Sequence, residues 1–153
     1  MDDCRSLTDH AGSRLTLIAE SFGRLTGRAL VEMPGDLAAA LWTAPRVILA
    51  HGTEPDPLFF YGNRAALDLF EVSAADIVRM PSRLSAEAPL REERMRLLDR
   101  VTRDGFIDDY AGIRVSASGR RFRIEQAIVW NLIDETGIIN GQAATFDRWT
   151  RLD

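Results

Sequence analysis

Residues 121–133 read RFRIEQAIVWNLI, a run with neither glycine nor proline. Phe122, Ile124, Gln126, Ile128, Trp130 and Leu132 recur with period two, while Arg121, Arg123, Glu125 and Asn131 share the other parity. That period belongs to a pleated strand whose successive side chains point to opposite faces. The pattern predicts a long antiparallel strand, packed through one face and wet on the other. Its neighbours are marked by turn residues. Ser118-Gly119 signals a hairpin back to a strand over 106–117, and Glu135-Thr136-Gly137 turns the chain into a strand over 138–147. Upstream, Val47-Ile48-Leu49-Ala50 and the aromatic run 58–61 read as two shorter strands.

Helical signals fill the rest. Ala11, Leu15, Ile18, Phe22, Leu25 and Ala29 lie on one stripe within a first forty residues that read as helical, with Gly27 as an end signal. Asp36 is placed to cap a short helix to about Trp42, which Pro45 stops. Asn63 caps a helix through Phe70, and Ser73 with Asp76 opens another. A charged helix starts at Pro89 and stops at Gly105, with Glu92 and Glu93 near its positive end and Arg100 and Arg103 near its negative end. The expected fold is α+β: a five-stranded antiparallel sheet with helices on one face, an N-terminal helical extension over 1–45 and the main domain over 46–153.

Composition narrows the function classes. At 153 residues, 46% hydrophobic, the chain suits one globular domain. A formal charge of −4 argues against nucleic acid or an anionic membrane as partner. All 19 basic residues are arginine, and a genomic bias explains that more simply than function does. The single cysteine, Cys4, allows neither an internal disulfide nor a thiolate metal cluster. The start, MDDCRSLTDH, lacks the features of a signal peptide, and no apolar run approaches the roughly 20 residues that span a bilayer. The expected location is cytoplasmic.

The order of elements, with Leu58-Phe-Phe-Tyr-Gly-Asn63-Arg-Ala-Ala, the turn Ser118-Gly119-Arg120 and Phe146-Asp147-Arg148, resembles the PAS fold. More narrowly, HGTEPDP, YGNRAALDLFE, MPSRLSAE, REER, GIRVSASGRRFRIEQAIVWNLID and GQAATF together resemble the MEKHLA family, as do SFGRLTGRALV and the LWTAP lead-in. That PAS-like family has stand-alone bacterial members and C-terminal copies in plant homeodomain-leucine-zipper regulators. The resemblance implies a sensory or interaction domain, with dimer contacts through the N-terminal helix and the outer face of the sheet.

Several constellations compete for the site. His51 with Glu54 and Asp56 has the composition of an acid/base group, but the carboxylates stand among Gly52, Pro55 and Pro57, which are turn residues. The two histidines lack HxH or HxxxH spacing, so a metal centre is poorly supported. Haem on His51 and a flavin without a thiol adduct stay open, whereas adduct chemistry is excluded because MPSRLSAEAPL has no cysteine. Gln126 is expected on the packed face, where an unsatisfied amide costs about 1–3 kcal/mol, so it must find backbone, water or a ligand. Phe59, Tyr61 and Asn63 share a parity and are expected to face the core together. The candidate ligand pocket is therefore His51, Phe59, Tyr61, Asn63, Arg83, Tyr110, Gln126, Trp130 and Gln142. The leading expectation is a non-enzymatic sensory or interaction module, a homodimer acting in trans with a possible regulatory protein partner. The alternative is a small enzyme using His51 or Asp109 as general base.

Overall fold

A computed structural model describes residues 2–32, 35–86 and 88–152. Met33 and Pro34, inside the stretch expected to be helical, lie outside the described residues. The N-terminal part holds α1 (Asp2–Ala11), α2 (Arg14–Thr26) and α3 (Leu37–Thr43). The sheet begins with β1 (Val47–His51) and β2 (Phe59–Gly62), followed by α4 (Arg64–Phe70), α5 (Ala74–Ile77), a 3-10 turn at Ser82–Ser85 and α6 (Ala88–Asp104). It is completed by β3 (Phe106–Val115), β4 (Arg121–Ile133), β5 (Ile139–Phe146) and β6 (Arg148–Arg151). All pairings are antiparallel, in the order β2-β1-β5-β4-β3, with β6 paired to β4 beyond β5.

Local chemistry sets the helix ends. Asp36 accepts from the Ala38 amide, and Ser73 from the Asp76 amide. Gly27 closes α2 in the left-handed region at φ 72°, where its amide reaches the Gly23 carbonyl. The expected single N-terminal helix is two, because Gly12 adopts φ 60° and breaks the rod. The apolar stripe survives the break: Leu7, Ala11, Leu15, Ile18 and Phe22 are all buried.

That stripe packs on the sheet. The α2 helix lies along β4, with Phe22 edge-on to Trp130 at 4.8 Å and the Trp130 Nε1 donating to the Ile18 carbonyl at 3.2 Å. Ser21 Oγ donates to the Ile133 carbonyl and accepts from the Ile133 amide. The other face is covered by α4, α5 and α6. Helices therefore sit on both sides of the sheet, and the outer face is not wet along its whole length. The N-terminal helices and the outer face, expected as free dimer surfaces, cover one another within one chain.

Two irregularities re-sort the side chains. Gln126 lies at φ 52°, between the half of β4 that pairs β6 and the half that pairs β5. It is an extra residue, and the alternation slips by one there. Before it, Phe122 and Ile124 face the inner side, where Phe122 meets the Phe70 ring of α4 edge-on at 5.3 Å. After it, Ala127, Val129 and Asn131 face inward, while Ile128, Trp130 and Leu132 face the N-terminal helices. The single apolar face expected for 122–132 is thus two faces joined at a bulge. A second slip leaves Phe60 without a partner between the pairs His51 with Phe59 and Ala50 with Tyr61. Phe59 and Tyr61 consequently point to opposite sides, against their sequence parity.

Candidate functional site

The inner face, under α6, holds a partly open cavity of about 50 Å³. Its walls are mostly apolar, with Leu49, Phe59, Ile124 and Val129 from the sheet and Leu97 and Leu98 from α6. Polar side chains enter from His51, Ser85, Tyr110, Arg114 and Gln142. Four of the residues expected from sequence are brought together here: His51, Phe59, Tyr110 and Gln142.

His51 stands at the end of β1, opposite Gln142, and is buried. Its Nδ1 lies 3.0 Å from the Gly52 carbonyl, which can only accept, so that nitrogen carries the proton. Gln142 sits on β5 beside Asn131 on β4. The Gln142 Nε2 donates to the Leu98 carbonyl, Thr102 Oγ1 and Asn131 Oδ1, at 3.0–3.1 Å. Asn131 Nδ2 in turn donates to the Val101 carbonyl at 2.9 Å. The two amides thereby tie the C-terminal half of α6 to the centre of the sheet, using carbonyls of the helix's last turns. Tyr110 is half-buried, and its ring lies over Gly112, where a Cβ would meet the phenol oxygen at 2.1 Å. A larger residue at 112 would push that ring from its present position.

Five candidates belong elsewhere. Gln126 is exposed, carried outward by the bulge. Trp130 is fully buried on the opposite face, against α2. Tyr61 is buried toward α1, and burial, with Cys4 nearby, pushes its phenol far above the usual range. Asn63 is spent on the fold: its Oδ1 accepts from the Ile48 and Ala66 amides, and its Nδ2 donates to the Leu41 and Arg46 carbonyls. All four hydrogen-bonding positions of that amide are taken. Arg83 meets Asp56 at 3.1 Å on the surface instead of an anion in the cavity.

The acid/base constellation dissolves in the same way. Glu54 accepts from the Leu58 amide within the β1–β2 turn, and Asp56 pairs with Arg83. Asp109 is exposed and borders a surface depression with Glu93, Arg96 and Arg100, outside the cavity. No group of three or more His, Cys, Asp or Glu among the described residues could hold a metal ion. This cavity offers about 50 Å³, well below the roughly 300 Å³ or more that cofactor-sized ligands occupy. Cys4, the one thiol, is on α1, across the sheet from the cavity. No described helix is long and apolar enough to cross a membrane.

Sequence reasoning missed Arg114. It lies on β3 at the same parity as Tyr110 and Gly112, is 8% exposed, and places its guanidinium 5.2 Å from the Tyr110 ring centroid. The signal was available, since an arginine four residues along the same strand from Tyr110 shares its face. Ser85, Leu97 and Leu98 carry no such signal, because only tertiary packing brings the covering helix over the sheet.

This architecture is similar to solved PAS domains. A PAS domain from Colwellia psychrerythraea superposes with TM-score 0.61 at 14% identity, covering 75% of this chain and 92% of that one. An RNA-binding light-oxygen-voltage receptor gives TM-score 0.62 at 20% identity, over 79% of this chain and 33% of that one. A PAS domain of a LuxR-family transcriptional regulator from Burkholderia thailandensis, in complex with ethanol, gives 0.56 at 19% identity, over 77% and 98%. The fold is PAS-like. Among curated proteins, homeobox-leucine zipper protein HOX10 of Oryza sativa subsp. indica is 24% identical over 147 residues, 96% of this chain and 16% of its own length. ATHB-9 of Arabidopsis thaliana is 27% identical over 116 residues, 74% of this chain and 14% of its own length. This chain thus spans about a sixth of the relatives it matches. With the MEKHLA domain model matching residues 13–151, the chain belongs to the MEKHLA domain family.

Proposed function

We propose that this domain is a sensory module in which a small molecule, held in the inner-face cavity, sets how firmly α6 is bound to the sheet. One observation carries the reading: the cavity adjoins the Gln142–Asn131 amide pair that holds Leu98, Val101 and Thr102 of α6. An occupant that touches Gln142 or Leu98 interacts differently with docked and released α6. That difference in affinity is what shifts a conformational equilibrium. The Burkholderia thailandensis PAS domain in complex with ethanol supports an occupant of this size. Output passes to a partner through α6, whose outward side carries Glu92, Glu93, Arg96 and Arg100. The module is read as working in the cytoplasm. A homodimer would have to use surfaces other than the buried stripe of α1 and α2, and β6, exposed along its length, is one strand open to it.

Native mass spectrometry of gently purified protein, combined with hydrogen exchange, tests this reading. A bound small molecule at one per chain is expected, with slower exchange in the C-terminal half of α6 when it is present. Ligand-free protein whose α6 exchange responds to no member of a broad metabolite collection would refute the proposal.

A further inference from the structure

Arg114 is a charged side chain, more than nine-tenths buried, at the wall of the cavity. Its guanidinium is a cation that presents five N–H donors. One donor is used, from Nη1 to the Ile113 carbonyl at 3.0 Å, and the guanidinium carbon lies 5.2 Å from the centroid of the Tyr110 ring. Among the described residues, no carboxylate comes within ion-pairing distance of it. None of its other nitrogens is sealed in protein without a partner, and the residue lines the cavity. A buried charge with no counter-charge is costly, and buried charges are ordinarily paired.

We infer that the cavity is a binding site for a short-chain monocarboxylate, whose head group pairs with Arg114. This rests on the sensory reading above and specifies its ligand class. The flat guanidinium fork matches a carboxylate, which takes two parallel N–H donors. Space sets the length. A cavity of about 150 Å³ admits the six carbons of benzene, so about 50 Å³ takes roughly two heavy atoms, and formate or acetate fits with its carboxylate reaching the open mouth. The Leu49, Phe59, Ile124 and Val129 walls suit a short alkyl tail and offer nothing to a second charge. Ser85 Oγ donates to the Ser82 carbonyl, so it meets a ligand only as an acceptor. Arg114, with the Tyr110 hydroxyl as a neutral second donor, therefore supplies the charge-assisted contacts to the head group.

The test is calorimetric titration of the full chain with formate, acetate and the neutral isostere acetamide, at constant chloride ionic strength. Acetate is expected to bind once per chain and at least about tenfold tighter than acetamide, as a charge-assisted pair requires. Arg114→Met is expected to lose about tenfold or more in acetate affinity while its acetamide affinity stays within about twofold. The acetate–acetamide contrast in the unaltered chain does not depend on whether the variant folds. Acetamide or ethanol binding as tightly as acetate would overturn the carboxylate assignment and leave the sensory cavity standing. Acetate binding equally to Arg114→Met would place the anion elsewhere and also overturn it. If no small molecule of any charge binds, both readings fall together.

Discussion

The two faces of the sheet are both covered by helices, yet they are built differently. On the outer face, Trp130 is fully buried against Phe22, and its one polar atom is bonded to the Ile18 backbone. On the inner face, the same strands present Asn131, Gln142 and His51, with Arg114 from β3, beside a cavity. Both layers combine apolar contact with hydrogen bonds, but the outer one centres on the Trp130–Phe22 packing, whereas on the inner one buried side-chain amides beside a cavity bond α6 carbonyls. Dispersion and water exclusion tolerate little movement, because interiors are packed like crystals. Hydrogen bonds can be exchanged for bonds to a ligand or water. On the sensory reading proposed above, the outer face is the foundation and the inner face is the part that responds.

Truncating Trp130 gives the sharpest break of that contrast. Trp130→Ala should destabilise the domain by about 3–5 kcal/mol in chemical denaturation, through lost burial and the cavity left behind. A cost below about 1 kcal/mol would mean that α2 is not part of the foundation. The inner-face counterpart is Gln142→Leu, which keeps volume but leaves Thr102 Oγ1, Asn131 Oδ1 and the Leu98 carbonyl without that donor. Its expected cost is about 1–3 kcal/mol. Hydrogen exchange should quicken in the C-terminal half of α6 and stay unchanged in α2. Equal changes in both helices would erase the distinction between the faces.

Gln126→Gly probes the bulge that divides the faces. Because Gln126 holds a left-handed conformation and is exposed, glycine should stabilise by up to about 1 kcal/mol. An inward-facing Gln126 would instead leave a hole and destabilise. The smallest effect belongs to Asp134, at the turn between β4 and β5 and on neither face. Hydrogen bonds from Thr136, Asn140 and Ile138 lower its carboxyl from 3.8 to about 2. Because the folded value is depressed, its contribution is complete above the ordinary carboxylate range and is lost as pH falls toward 2. The stability gap between the natural chain and Asp134→Ala should hold above pH about 5 and narrow steadily below it. Exchange in α6 should not follow that change.

Much of the scaffold was legible because its causes are local. The caps at Asp36, Asn63 and Ser73 and the left-handed Gly27 depend on residues within a turn of themselves, and each forms as read. The five expected strands form, with β6 added after the chain bends at Asp147. The break at Gly12 was also local, but the continuing stripe of Ala11, Leu15 and Ile18 hid it. The site was less legible, and each error has a distinct cause. Trp130 and Gln126 were assigned to the cavity by an unbroken period of two. The slip at Gln126 arises where β4 exchanges β6 for β5 as its neighbour, which no residue of β4 announces. Tyr61 was misassigned through the same kind of slip beside Phe60.

The sequence by itself determined the elements, their ends, the antiparallel hairpins and the family. Turn preference, capping and hydrophobic period all act over a few residues. Only the tertiary structure decided which face each strand residue joins, that α1 and α2 close the outer face, and that Arg114 meets Gln142 and His51 around one cavity. Those outcomes depend on strand register and on helix docking between distant segments. A one-residue slip in register moves every following side chain through the sheet.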